Sequence, residues 1–93
     1  MRYRLKLSQA SAERFAALSP FLRRVVADHL LSLAERPVSM SRPSVYPPYP
    51  IGYQLYEFDV EVDDVLHHFA VLFRYGADEA TLHIRLGHIE YGN

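Results

Sequence analysis

Two runs of strand-forming residues, Val65 to Tyr75 and Ala80 to Leu86, flank the polar tetrapeptide Gly76-Ala77-Asp78-Glu79. β-branched, aromatic and long apolar residues dominate both runs, and the connection has the length of a hairpin loop, so the segment predicts a central β-hairpin. Alternation sends Phe69, Val71, Phe73 and Tyr75 one way and His68, Ala70, Leu72 and Arg74 the other; on the second strand Leu82, Ile84 and Leu86 oppose Thr81, His83 and Arg85. One face of such a hairpin needs an apolar cover. The residues upstream supply it, and His88 to Tyr91 are expected to emerge beside the other face.

Tyr3-Arg4-Leu5-Lys6-Leu7 alternates as a short half-buried strand. Ser8 caps a first helix over Gln9 to Leu18. Ser19-Pro20 then ends it and opens a second helix, in which Phe21, Leu22, Val25, Val26, His29, Leu30 and Leu33 form the apolar stripe. Two helices joined by so tight a corner form an αα-hairpin. Arg36 to Pro50 holds five of the six prolines and predicts an extended connection, with Met40, Tyr46 and Tyr49 packed on the core edge. Ile51-Gly52 opens a strand over Tyr53 to Val60, and Glu61-Val62-Asp63-Asp64 turns the chain into the central hairpin. The expected fold class is α+β, ordered β-α-α-β-β-β, with an antiparallel sheet of about four strands under an αα-hairpin and the first strand at a sheet edge.

Ninety-three residues make a single domain over 1–93, able to bury roughly 60 to 65 per cent of its surface. No cysteine is present, which excludes disulfides, thiolate metal sites and cysteine nucleophiles. The amino terminus lacks the apolar core of a signal peptide and no run is long enough to span a membrane, so a soluble, cytoplasmic protein is expected. The net charge of −1 argues against strong nucleic-acid affinity, yet the charge is unevenly spread. Before residue 43 there are eight Arg or Lys against three Asp or Glu, and after it two against eight, so local patches still matter.

In its order of motifs the chain resembles the RelE/ParE superfamily of bacterial toxins. The resemblance is carried by the opening Tyr-Arg-Leu-Lys-Leu-Ser strand, the Ala-rich first helix, the Leu30-x-x-Leu33-Ala34-Glu35-x-Pro37 helix exit and Leu55-Tyr56-Glu57-Phe58. Phe69-Ala70-Val71-Leu72-Phe73-Arg74-Tyr75 followed by Leu82-His83-Ile84-x-Leu86-Gly87-His88 completes it. It implies the toxin component of a type II toxin-antitoxin system, neutralised by an antitoxin and acting either through mRNA cleavage on the ribosome or on DNA gyrase; it leaves homodimer formation open. Family interferases hold the scissile phosphate with cations on the open sheet face, because cleavage accumulates negative charge in the transition state. Three positions where that family carries cations hold Asp59, Ala70 and Ile89 here. The candidate catalytic set is then Arg74, His83, Arg85, His88 and Tyr91, and Arg23, Arg24, Arg36 and Arg42 are the candidate antitoxin-binding set. The alternative is a catalytically degenerate member serving as a protein-binding module.

Each of these residues has a structural alternative. Arg74 and Arg85 suit cross-strand pairing with Glu79, Glu57 or Asp59, and His88 and Tyr91 suit a sheet edge. The four arginines suit a solvated helix face. His67 and His68 point to opposite faces, so only one can join His83; no ligating trio follows and neither metal nor cofactor is expected. His29 reads as a hydrogen-bonded core-edge histidine, and Asp59, Glu61, Asp63 and Asp64 as a solvated acidic turn.

Overall fold

A computed structural model describes residues 2–44 and 52–92. Strand β1 (Arg4–Leu7) leads into helices α1 (Gln9–Ala16) and α2 (Pro20–Glu35), a one-turn helix α3 (Pro37–Met40) and a two-residue strand β2 (Arg42–Pro43). Strands β3 (Gln54–Val62), β4 (Val65–Tyr75) and β5 (Thr81–Tyr91) follow. The sheet has the order β1-β5-β4-β3-β2. Among the described residues it has five strands, compatible with the expected sheet of about four, and is mixed and not wholly antiparallel: β1 lies at an edge, as expected, but runs parallel to β5, Leu5 beside Leu82 and Leu7 beside Ile84. Alternation gives a strand its faces and not its direction, which here is set by the pairing with β5.

Local chemistry accounts for most of the boundaries. The Ser8 hydroxyl accepts from Ser11 N at 3.2 Å and that of Ser19 from Leu22 N at 3.3 Å, each satisfying a donor that a helix start leaves orphaned. Pro20 sits in the first turn of α2, where its missing N–H costs nothing. Helix α1 stops at Ala16, two residues short of the expected end, and Leu18 turns inward to be buried. The Arg23 guanidinium then caps that end, donating to the carbonyls of Ala16 and Leu18. The Pro-rich segment is not extended throughout: Pro37 opens α3, and Pro43 occupies an edge strand, another position that needs no donor. Met40 packs against the core as expected, whereas Tyr46 and Tyr49 lie outside the described residues.

The loop between β3 and β4 is two residues, shorter than the four expected. Glu61 and Val62 already pair with Leu66 and Val65, and Asp63 and Asp64 turn with φ of 50° and 66°, the doubly left-handed form that suits strand twist. Strand β5 runs on to Tyr91, five residues past its expected end, because β4 is long enough to offer partners out to Leu66.

At the β4–β5 turn Asp78 accepts from Ala80 N, Thr81 N and the Thr81 hydroxyl and meets Arg4 at 2.9 Å. Chiefly through the Ala80 amide, and then the Thr81 hydroxyl, these contacts lower its carboxyl from the usual 3.8 to about 2. A depressed folded-state value means the stabilisation is fully present above the unfolded value and disappears as pH falls through the folded one. NMR titration of the Asp78 carboxyl carbon is expected to show a midpoint near 2. An Asp78→Asn variant should lose less stability than the parent between the two values on acidification. An ordinary titration midpoint would mean that the turn does not hold the carboxylate.

The core lies between the helices and one sheet face: Leu22, Val26, Leu30 and Leu33 of α2 pack on Phe69, Val71 and Phe73 of β4 and on Leu82, Ile84 and Leu86 of β5. Phe21, expected in that stripe, is exposed instead. Beyond Leu7 the edge of β5 has no strand beside it among the described residues, and α1 substitutes. The Ser11 hydroxyl accepts from Leu86 N at 2.9 Å, and Arg14 donates to the Leu86 carbonyl, so both main-chain groups are satisfied.

Candidate functional site

The sheet face away from the helices divides into three zones. At the β1 end, Lys6 lies beside His83 and His83 opposite Arg74, a row across three adjacent strands; Arg85, opposite Leu72, stands one pleat further along β5. The Arg85 guanidinium carbon lies 5.4 Å from the centroid of the Tyr53 ring, a cation–π placement that holds it over the face. Lys6, Tyr53, Arg74, His83 and Arg85 border a shallow groove of about 180 Å³.

Three permanent cations thus share this corner. Among the described residues the ion pairs are Arg2–Glu35, Arg4–Asp78, Arg42–Glu57 and the contacts of His67 and His68. Lys6, Arg74 and Arg85 take part in none. The expected pairing of Arg74 or Arg85 with Glu79, Glu57 or Asp59 is therefore absent among these residues, and mutual repulsion leaves the corner attractive to an anion. Two planar guanidinium groups on one face suit the bidentate geometry of phosphate.

The second zone neutralises itself. His68 contacts Asp59 at 2.6 Å and Glu57 at 3.0 Å, and Arg42 meets the other Glu57 oxygen at 2.7 Å. The hydrogen bond to Asp59, then that to Glu57, outweighs burial and raises the His68 imidazole above its ordinary value, favouring the charged form. Asp59 thus belongs to a salt-bridged cluster and not to a solvated turn. Beside Glu57, Ala70 and Gly87 pair as small residues between this cluster and the corner, and the far end of the face exposes Leu66, Ile89 and Tyr91.

The five candidate catalytic residues do not converge. Arg74, His83 and Arg85 share the corner. Tyr91 is on the same face but eight residues along β5 from His83, about 27 Å at strand rise. His88 is on the opposite face, a correction that follows from β5 continuing as a strand: it pairs with Phe69, which points into the core. Its ring stacks on Phe69 at 4.4 Å between centroids, and its Nε2 is 2.9 Å from His67 Nδ1. Burial first, then the neighbouring His67 and Arg14, lower its pKa and favour the neutral ring.

Nor do the four candidate antitoxin-binding arginines form one surface. Arg23 caps α1 and Arg42 pairs with Glu57 beside the sheet, leaving Arg24 and Arg36 exposed on α2 and at its end. A different feature lies on that side, an apolar groove of about 570 Å³ between β1 and the helices, lined by Leu5, Leu7, Ala12, Phe15, Leu30 and Leu31. Residue type and alternation pointed to Arg74, His83 and Arg85. They missed Lys6 and Tyr53, whose place in the row follows from a parallel register and from a residue just outside a strand. His29 is where its helical spacing put it, 2.6 Å from the Tyr56 hydroxyl and stacked on Phe58.

No helix among the described residues is long and apolar enough to cross a membrane. No protein-family model matches the sequence, and no curated protein matches it. The fold does have a solved counterpart, the toxin RelE of E. coli, determined as an arginine double mutant in the free state. The superposition has a TM-score of 0.61 at 12% sequence identity and covers 94% of this chain and 83% of that one. With its helix pair on one side of the sheet and a partly cationic face on the other, the chain has the RelE fold.

Proposed function

We propose that this protein is the toxin component of a type II toxin-antitoxin system, RelE/ParE-like, which inhibits growth through translation and is neutralised by an antitoxin. The observation that carries the reading is the corner of Lys6, Arg74 and Arg85, without ion-pair partners among the described residues, on the open face of a RelE fold, where a phosphate backbone meets three cations and the Tyr53 ring. RNA on the ribosome fits that chemistry. Of the expected catalytic set, His83 is the imidazole at the corner and the candidate acid or base, with Arg74 and Arg85 as the phosphate holders. The antitoxin docks along the helices and the open edge of β1, its apolar side chains in the groove beside Leu5 and Leu31 and its acidic residues toward Arg24 and Arg36.

A second reading, a catalytically degenerate binding module, is favoured by the separation of His88 and Tyr91 from the corner. Induced expression in a bacterial host decides between the two. The toxin reading expects growth arrest by the parent chain and relief by a folded Arg74→Ala/Arg85→Ala variant. Parallel translation and supercoiling assays then distinguish the ribosome from gyrase. Arrest by both chains would move the active surface elsewhere, and no arrest by soluble, folded parent would leave the binding module standing.

A further inference from the structure

Behind the sheet, away from the cationic corner, three ligand-type side chains converge. His88 and Glu90 are two residues apart on β5 and so project to one side, and the register sets His67 of β4 directly opposite Glu90 and diagonal to His88. His67 Nδ1 lies 2.9 Å from His88 Nε2 and 3.8 Å from Glu90 Oε1, and the three donor atoms all fall within 4.8 Å of one another. His67 is buried, His88 half-buried and Glu90 exposed, so the cluster opens to solvent on one side. That side is a surface groove of about 810 Å³ also bordered by Glu13, Arg14 and Asp63.

From this geometry we infer a divalent transition-metal site, with Zn²⁺ its natural occupant, ligated by His67 Nδ1, His88 Nε2 and the Glu90 carboxylate. Two ligands about 2.0 to 2.1 Å from a tetrahedral ion stand about 3.3 Å apart, and the two separations here, 2.9 and 3.8 Å, bracket that value. The His88–Glu90 pair falls within the same 4.8 Å, so side-chain adjustment of the exposed Glu90 brings all three toward one centre. The 3.8 Å contact of Glu90 with His67 is too long for a hydrogen bond, and the 2.9 Å hydrogen bond between His67 Nδ1 and His88 Nε2 is the one a metal ion would replace. Two neutral imidazoles and one carboxylate are a borderline donor set that suits Zn²⁺ and disfavours Mg²⁺ and Ca²⁺, which take oxygen ligands. Three protein ligands leave a fourth position, which faces the groove and is open to water or an exogenous anion.

The surrounding charges are compatible with this occupancy. Arg14 borders the groove, and its guanidinium donates to the Leu86 carbonyl, while Glu13 and Asp63 add negative charge around the groove. The site stands apart from the Lys6–Arg74–Arg85 corner and does not depend on the toxin reading.

The test is a Zn²⁺ titration of tag-free, metal-stripped full chain against a chromophoric chelator, with Co²⁺ as a spectroscopic substitute. One equivalent is expected to bind in the micromolar range or tighter, with the intense visible absorption of tetrahedral Co²⁺ and no competition from Mg²⁺. Glu90→Gln, an exposed substitution that leaves the core intact, and His88→Gln should each weaken binding at least about tenfold, since even partners outside the ligand set are worth that much. His68→Gln, on the opposite face, should leave it unchanged. Absence of stoichiometric binding by the parent, or affinity indifferent to both Glu90→Gln and His88→Gln, would overturn the assignment, as would loss of the site in His68→Gln.

Discussion

Replacing Phe69 by Ala is expected to lower the free energy of unfolding by about 3 to 5 kcal/mol, the usual cost of emptying a buried aromatic site. Phe69 is fully buried, its ring 5.2 Å from Phe58 and 4.4 Å from His88, and His29 stacks on the far side of Phe58 at 3.8 Å. The four rings run from α2 across three strands, so the lost ring is the junction between helix layer and sheet. A domain of this size has roughly 5 to 10 kcal/mol in total, and the loss would leave a substantial unfolded population at modest temperature. Urea denaturation followed by circular dichroism measures it, with Ile89→Ala as the control. Ile89 is 52% exposed on the open face and should change stability by no more than about 0.5 kcal/mol. Equal effects of the two substitutions would mean that the core does not lie on the Phe69 side of the sheet.

What could be read from the chain alone follows the range of the interactions involved. The central hairpin, the Ser8 and Ser19 caps and the α2 stripe of Leu22, Val26, Leu30 and Leu33 are local patterns, and each appears where spacing put it. The position of β1 at an edge also held, because a short alternating strand far from the hairpin has few other places to pair. Its direction is set by long-range pairing with β5, which no local pattern encodes. Pro37 shows a different limit: proline excludes helix interiors but favours helix starts, so a Pro-rich stretch still admits the turn of α3.

His88 shows how one boundary controls a site. Ending β5 at Leu86 frees the following residues to be placed anywhere, and the open face then looks natural for them. Continuing the strand obliges His88 to alternate with Gly87 and to join the side of Leu86 and Phe69. The same continuation brings Glu90 to His67. The cluster therefore could not be found by pairing His67 with its sequence neighbour His68, which alternation sends to Asp59 and Glu57 instead. By contrast, Arg74, His83 and Arg85 sit well inside the hairpin, where period-two alternation is secure, and they do share a face.

That shared face gives the second large effect. In binding a single-stranded RNA oligonucleotide, the Arg74→Ala/Arg85→Ala variant is expected to lose affinity about tenfold or more relative to the parent. Each guanidinium that neutralises a phosphate displaces condensed counterions, and single strands contribute about 0.7 to the slope of log K against log salt for each such contact. Losing two contacts should therefore flatten the slope by about 1.4. The readout separates a direct phosphate contact from a general loss of charge, because an Arg23→Ala/Arg24→Ala variant removes the same formal charge from α2, away from the open face. That variant should retain the parental slope even though the net charge of −1 becomes equally more negative. Fluorescence anisotropy at four or more salt concentrations makes the comparison. Parallel slopes for all three proteins would show that the open-face arginines do not touch the backbone, whereas flattening confined to Arg74→Ala/Arg85→Ala would place the RNA across the row that Lys6, His83 and Arg74 form over three strands.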